Sequence, residues 1–246
     1  MNRISLCMVT YNESHRIADT LTLAAPHVDE IVIVDQSSTD GTRGTVAEWY
    51  GSSKLNPCTK IVNDKHWGYC EPSRKKAHEA SSGDWILVLD ADERISDEFA
   101  EEVRDFMLQS NAMNYRGVRL KRSLWINGIH SWTGDYQYRF FRNDAVRYLD
   151  EIHTEPQPTC HKDQIWCPEY IGIWHTKSWT EQIRDENAYE GLLEGESGIA
   201  AERKRALNVY TKLLADAGIT AEEADSMTHE ERVKAGVVLD GDTVPA

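Results

Sequence analysis

The 246-residue sequence contains no long apolar run, so no transmembrane helix is expected. Its opening residues, MNRISLCMVTYNE, hold no extended apolar stretch ahead of a cleavage site, which argues against a secretory signal peptide. Cysteine is sparse. The five residues (Cys7, Cys58, Cys70, Cys160 and Cys167) are scattered and odd in number, so a reducing cytoplasm is the simplest expected location. Cys160, His161 and Cys167 lie close together, but their spacing fits no zinc pattern. Positive charge is also short. There are 27 Lys and Arg against 41 Asp and Glu, giving a net charge of -14. Such a chain is poorly suited to non-specific binding of nucleic acid or an anionic membrane, unless a local basic patch overrides the balance. No internal repeat is evident.

With 40% hydrophobic residues, the chain has enough apolar material for one sizeable core. Apolar runs alternate with helical patterns over the first 110 residues. Strands are expected at Ile4–Thr10, Asp29–Asp35, TKIVND (59–64) and WILVLD (85–90). Helices are expected at NESHRIADTLTLAAP, stopped by Pro26; from GTVAEWY after the polar turn SSTDGT; at PSRKKAHEASSGD, closed by Gly83; and at SDEFAEEVRDFMLQ, opened by Ser96. Continuously apolar strands alternating with helices point to an α/β fold, a mostly parallel sheet covered on both faces. In such sheets ligands bind beyond the carboxyl ends of the strands.

Beyond Asn111 the texture changes. YRGVRLKRSLWING and YQYRFFRNDAVRYLD alternate apolar and basic residues, as antiparallel strands do, and EYIGIWH reads as a last strand. From Ser178 the chain reads as helical through SWTEQIRDENAYEGLLEGE and GIAAERKRALNVYTKLLADAG. An acidic tail follows, with one short helix expected near AEEADSMTHEERVKAG.

The acids gather where the ligand edge should be. Asp35 ends the second strand, and Asp90 and Asp92 end the fourth. If Asp90-Ala91-Asp92 is extended, its two carboxylates point the same way and repel unless a cation or a proton intervenes. A hard divalent ion, Mg²⁺ or Mn²⁺, suits such oxygen donors, and in phosphate sites it takes one or two carboxylates plus substrate oxygens. The plainer account makes Asp92 and Glu93 helix-terminal charges acting on a macrodipole.

TYNE, EIVIVDQSSTDGT and GDWILVLDADER, in that order and with a basic SRKKAHEA helix between the second and third, resemble the inverting glycosyltransferases of family 2. The resemblance is closest to the branch of lipopolysaccharide-core glucosyltransferases and runs from about Arg3 to about Glu194. It implies the GT-A fold and a hexosyltransferase-like activity. Residues 1–177 would form the catalytic domain, with a nucleotide-binding half to about 110 and an acceptor half over 111–177. Residues 178–246 would form a helical extension. It further implies that Thr10, Tyr11 and Glu13 line the donor's base and ribose, and that Asp35 contacts base or ribose. Arg74 would lie near the nucleotide, with Lys75 standing where the family commonly has Asn. Asp90 would face the ribose and the metal's outer shell, and Asp92 would bind the metal directly, so that Glu93 has no assigned role.

GDYQYRFFR resembles the family's D-x-Q-x-R-L-F-R segment, which puts Asp135 where the catalytic base belongs. The plainer account of Asp135 is a turn residue in TGDY. Gln137 and Arg139, two apart in a strand, face one side. Their spacing differs from the Q-x-x-R-W of processive synthases, which implies transfer of one sugar. IHTEP resembles the family's V-H-E segment, with His153 or Glu155 toward acceptor or sugar. IGIWHTKSW resembles the family's later H-Y-S-Y segment, which makes His175 a candidate third metal ligand or phosphate contact, with Lys177 nearby for the phosphates. Trp125, Trp132, Tyr136 and Tyr138 form an aromatic zone that serves either acceptor stacking or ordinary packing. The expected activity is transfer from a UDP-type nucleotide sugar to a glycan or other hydroxyl acceptor, assisted by Mn²⁺ or Mg²⁺. Two rivals remain. One is an acceptor that is a modified nucleic-acid base or a protein side chain, served by the basic zone of Arg116, Arg119, Lys121, Arg122, Arg139, Arg142 and Arg147. The other is a nucleotide-sugar-binding module without catalysis.

Overall fold

A computed structural model describes residues 2–55, 57–126, 129–149, 151, 154–168, 172–190, 208 and 211–237. Two compact units are present: residues 1–122 with 134–175, and residues 123–133 with 176–246.

In the first unit the chain alternates as its apolar pattern requires. The order is β1 (Ile4–Thr10), α1 (Ile17–Ala24), β2 (Glu30–Asp35), α2 (Thr42–Ser52), β3 (Cys58–Asn63), α3 (Glu71–Ala80) and β4 (Trp85–Val88). A short β5 (Glu93–Ile95) and a long α4 (Asp97–Met113) follow, then β6 (Gly117–Ile126), β7 (Ile129–Arg142), β8 (Val146–Arg147), β9 (Gln157–Pro158), β10 (Ile165–Trp166) and β11 (Gly172–Lys177), of which residues 123–126, 129–133 and 176–177 belong to the second unit. The main sheet runs β3-β2-β1-β4-β7-β6-β11-β5, with β10 beside β6. Strands β3, β2, β1 and β4 are parallel, while β7 lies antiparallel to β4 and β11 antiparallel to β5. This is the expected mostly parallel α/β sheet of GT-A type.

Alternation along each strand sorts the core into two layers. Ile4, Leu6, Met8, Ile31, Ile33, Trp85 and Leu87 point to one face, where α1, α2 and α4 bring Ile17, Leu21, Val46, Trp49, Phe99 and Val103. Cys7, Val32, Val34, Ile86 and Val88 point to the other, where α3 brings Ala77. Burial on both faces is why these strands read as unbroken apolar runs. Truncating a side chain such as Trp85, fully enclosed and stacked on Phe140 at 4.8 Å, would cost about 3–5 kcal/mol.

Several boundaries differ from the sequence pattern. Pro26 does not stop a helix; it sits in the first turn of a 3₁₀ segment, Ala25–His27, that extends α1. Helix α3 ends at Ala80, not at Gly83. Gly83 instead allows close approach of two chains: a Cβ there would lie 2.7 Å from the Ser5 nitrogen. The fourth strand stops at Val88, and Asp90 to Asp92 leave it as a turn closed by the Glu93 N–H donating to the Asp90 carbonyl at 3.0 Å. Ser96 does cap α4, accepting from the Phe99 N–H at 3.2 Å.

The second unit packs Leu124, Ile126, Trp179, Leu214, Ala224 and Val237 into a small core. Helix α5 (Trp179–Glu190) opens with a reciprocal cap, in which Ser178 N–H donates to Glu181 and Glu181 N–H donates back to the Ser178 hydroxyl. Much of the second expected helix, GIAAERKRALNVYTKLLADAG, lies outside the described residues, which resume as helix over 211–217. The single short helix expected in the tail is two, Ala221–Ser226 and His229–Ala235. The pattern Thr-x-x-Glu occurs twice there, and each copy caps its own helix: Thr220 with Glu223, and Thr228 with Glu231.

Candidate active site

The carboxyl ends of β1, β2 and β4 converge on one edge, as a parallel sheet demands. Asp35 is buried at the end of β2. It accepts from the Ser38 hydroxyl and from the Ser38 N–H at 3.2 Å, and the Thr10 hydroxyl reaches it at 3.4 Å. The loops around it hold unusual backbone. Asn12 and Ser37 take left-handed conformations with φ of 57° and 60°. The Asn12 side chain is fixed by accepting from the Thr39 N–H at 2.8 Å. Glu13 pairs with Arg16 at 2.5 Å, and burial lifts its carboxyl above the usual range against that partner's pull. Tyr11 is 39% exposed, and its ring stacks on His66.

The turn after β4 is built as two linked pairs. Asp90 accepts two bonds from the Arg74 guanidinium, at 2.9 and 3.0 Å, and a third from Arg139 at 3.2 Å. Burial pushes this carboxyl up, but Arg74 and Arg139 outweigh it and hold it below the ordinary range. Arg74, itself almost enclosed, also donates to the Cys70 sulfur at 3.2 Å. Asp92 meets His175 Nε2 at 2.8 Å across 83 residues of sequence. The two side chains meet because β5 and β11 pair in a register that places His175 opposite Glu93. Arg16 Nη1 stands 4.0 Å from the same Asp92 oxygen. The expectation that Asp90 and Asp92 aim together from an extended strand is therefore corrected. In the turn the two carboxylates take different partners, Asp90 the guanidinium pair and Asp92 the imidazole.

Glu93, given no role by the sequence, is the most enclosed acid here. Fully buried, it accepts from Arg139 at 2.9 Å and from the Asp90 N–H at 2.9 Å, tying β7 to the turn. The available signal was its place in ERI, where strand alternation points Glu93 and Ile95 inward together. Arg139 also donates from Nε to Gln137 at 2.8 Å, so both sit on one side of β7. Its Nη1 is buried with no hydrogen-bond partner. An unmade bond on a buried donor costs about 1–3 kcal/mol, which makes a ligand oxygen the natural partner for that N–H. Asp135 lies in β7, two and four positions ahead of Gln137 and Arg139, so its backbone is strand and not turn. Its side chain and all of His153 lie outside the described residues. Glu155 is engaged elsewhere, accepting from Tyr138 N–H at 2.7 Å and pairing with Arg119 at 2.7 Å.

Three of the seven residues of the basic zone are held in internal ion pairs. Arg116 pairs with Asp144, Arg119 with Glu155, and Arg139 with Asp90 and Glu93. Tyr138 is core, its hydroxyl donating to the Ala145 carbonyl at 3.2 Å. Cys160 and Cys167 are free thiols, and His161 caps a short 3₁₀ turn. Among the described residues no cluster of three or more His, Cys, Asp or Glu side chains is arranged as a metal site. Asp92 and His175 are nevertheless an oxygen and nitrogen donor pair compatible with Mn²⁺, and a phosphate-bound ion takes only one or two protein carboxylates. The residues thus fit a divalent ion that draws its remaining ligands from substrate and water.

The description "Glycosyl transferase family 2" matches residues 5–159, more than half of the chain, which includes Asp35, Arg74, Asp90, Asp92, Glu93 and Arg139 but not His175. The chain belongs to glycosyl transferase family 2. An "Uncharacterized glycosyltransferase" of Rickettsia felis is 32% identical over 121 residues, 49% of this chain and 40% of that protein. The "Putative teichuronic acid biosynthesis glycosyltransferase TuaG" of Bacillus subtilis is 30% identical over 122 residues, 48% and 47% of the two chains. The chain spans under half the length of these curated relatives. Among solved structures, S. aureus TarS residues 1–349 superposes with a TM-score of 0.50 at 16% identity, covering 83% of this chain and 69% of that one. At that identity the likeness speaks for the fold alone. No helix among the described residues is long and apolar enough to cross a membrane.

Proposed function

We propose that the chain is an inverting glycosyltransferase that moves one sugar from a UDP-type nucleotide sugar to an acceptor hydroxyl, with a divalent ion at Asp92 and His175. The observation that carries the reading is the 2.8 Å meeting of Asp92 and His175 beside an Asp90 held by two guanidinium groups. Bound there, the ion would neutralise charge on the departing diphosphate. Asp90, its carboxylate kept ionised by Arg74 and Arg139, would accept from the ribose hydroxyls. Asp35 and Thr10 would hold the nucleoside, and the unpartnered Arg139 N–H would donate to the transferred sugar or its phosphate. Asp135 would take the acceptor hydroxyl's proton as that oxygen bonds to the anomeric carbon. The bond from that carbon to the diphosphate breaks with its electron pair leaving on the nucleotide, and the configuration inverts.

Kinship with the lipopolysaccharide-core glucosyltransferase-like branch, a hexose as the transferred sugar and a cytoplasmic location belong to the same reading. Residues 1–177 are read as the catalytic part and 178–246 as its helical extension. The test is Asp92→Ala with Mn²⁺ supplied, measured by release of UDP from UDP-sugars. Undiminished release removes the metal role. Inversion is tested by the anomeric configuration of the product.

A further inference from the structure

Helix α1 buries Ile17, Thr20, Leu21 and Ala24. Three of the four are apolar. Thr20 is 1% exposed and carries a hydroxyl into the layer where Ile17, Leu21, Ala91 and Ile95 pack together. A buried hydroxyl needs a partner. In a helix it can donate to a carbonyl of the preceding turn, and Thr22 does so, reaching the Ala18 carbonyl at 2.7 Å. Thr20 instead sends its hydroxyl out of the helix, donating to the Ala91 carbonyl at 2.6 Å across 71 residues of sequence.

Ala91 is the middle residue of the Asp90-Ala91-Asp92 turn and is itself buried. Its carbonyl and the Asp92 N–H belong to one planar peptide group. A bond on that oxygen therefore fixes the plane from which Asp92 departs. The peptide on the other side of Ala91 is held too, by the Glu93 N–H donating to the Asp90 carbonyl at 3.0 Å. Four residues before Thr20, Arg16 Nη1 stands 4.0 Å from the Asp92 oxygen that meets His175, and Arg16 Nε pairs with Glu13 at 2.5 Å. Past the turn, Arg94 pairs with Asp19 of α1 at 3.5 Å. The start of α1 thus holds the acid turn on both sides of Asp92. The Thr20 bond differs in kind from these ion pairs: it is buried and made to main chain, so salt does not loosen it.

We infer that Thr20 is a positioning residue of the transfer reaction: by holding the Ala91 carbonyl it sets the direction in which Asp92 presents its carboxylate to a divalent ion. The inference rests on the metal reading of Asp92 above. Asp92 and His175 come from segments far apart in the chain, and their 2.8 Å meeting depends on where the turn places Asp92. Rotation of the Ala91–Asp92 peptide would carry the carboxylate away from the imidazole. Among the described residues no third acid, histidine or thiol completes a cluster there, so a displaced Asp92 has no described protein donor to replace it. Residues that orient a metal ligand set affinity as the ligand itself does, without touching the ion.

The test is calorimetry on the full chain, titrating Mn²⁺ with UDP present, beside urea unfolding. Thr20→Val keeps the branched shape and deletes the hydroxyl, leaving the Ala91 carbonyl without this donor. It is expected to weaken Mn²⁺ binding about tenfold, the low end for loss of a residue that orients a metal ligand. Thr20→Ser, which restores the hydroxyl, is expected to return the affinity to within about threefold of the parent. In donor turnover the deficit of Thr20→Val should close as Mn²⁺ is raised, with kcat near the parent's at saturation. Thr22→Val is the structural control. It loses the bond to Ala18 and the one accepted from Trp49 at 3.0 Å, so it should lower the urea midpoint and leave Mn²⁺ affinity unchanged. If the valine variant does not fold, Thr20→Ala is measured in its place. Mn²⁺ affinity in Thr20→Val equal to or tighter than the parent's overturns the inference and leaves the metal reading standing. A loss that Thr22→Val shares, or that Thr20→Ser fails to restore, overturns it as well. A parent chain that takes up no Mn²⁺, with UDP or without, removes the metal reading and this inference with it.

Discussion

Two carboxylate sites at opposite ends of the same sheet show how differently acidic side chains are used. At the amino edge, Glu30 is 1% exposed and fully occupied by its own protein. It accepts from Ser5 at 2.5 Å, Lys60 at 2.6 Å, and the Ser82 N–H and hydroxyl at 2.7 and 3.1 Å. That arrangement joins β1, β2, β3 and the turn before β4. At the carboxyl edge, Asp90, Asp92 and Glu93 meet Arg74, Arg139 and His175, and one Arg139 nitrogen remains without a partner. The first cluster is satisfied, as a structural carboxylate should be. The second keeps unmade contacts and crowds like charges, an arrangement that stabilises a ligand better than it stabilises the fold.

The comparison breaks most visibly at the carboxyl edge. Asp135→Asn is expected to retain donor binding by calorimetry and to lower transfer by about 10²–10⁴-fold. A normal rate would take the base assignment away. Asp92→Ala should reduce donor turnover by roughly 10²–10³-fold while the urea midpoint stays near the parent's, because it removes a site group and no core contact. Glu93→Gln lies between the two regimes. It keeps the shape and loses the charge facing Arg139, so a fall in kcat of about tenfold and a modest loss of stability are both expected.

At the amino edge the signs reverse. Glu30→Ala should destabilise the fold by about 2–3 kcal/mol in urea unfolding, at the low end for a buried pair because Lys60 can turn to water. The folded fraction should keep its donor affinity. The smallest effect is on pH. Burial pushes the Glu30 carboxyl up, but Lys60, Ser5 and Ser82 outweigh it and bring it from an ordinary 4.5 down to about 2. A depressed carboxylate stabilises the native state above its unfolded value and loses that contribution as pH falls toward the folded one. Stability from this group should therefore decline between about pH 4.5 and pH 2, and Glu30→Gln should flatten that part of the acid unfolding profile. An unchanged profile would mean that the amino-edge cluster is not the depressed acid it is drawn as.

Legibility followed the range of the interaction. The parallel strands were readable because burial on both faces demands continuous apolar runs, and Ser96 was readable because a cap acts over three residues. Asp35, Asp90 and Asp92 were readable as strand-end acids. The contacts of Glu93 and His66 were not. Glu93 owes its partner to β7, 46 residues away, and His66 owes its ring contact to the loop after β1. The split of the acidic tail into two helices is encoded in two Thr-x-x-Glu caps, each acting over three residues.

By itself the sequence determined the alternating α/β order, the two-faced core and the edge at which acids collect, since these follow from local periodicity and from the direction of a parallel strand. Only the tertiary structure decided which acid meets which cation. Four residues separate β4 from β5, yet the two strands stand apart in the sheet order, and the turn between them sends Asp90 to Arg74 and Asp92 to His175. That choice depends on the pairing of β5 with β11, a contact between segments about 80 residues apart in the chain, whose register no local pattern encodes.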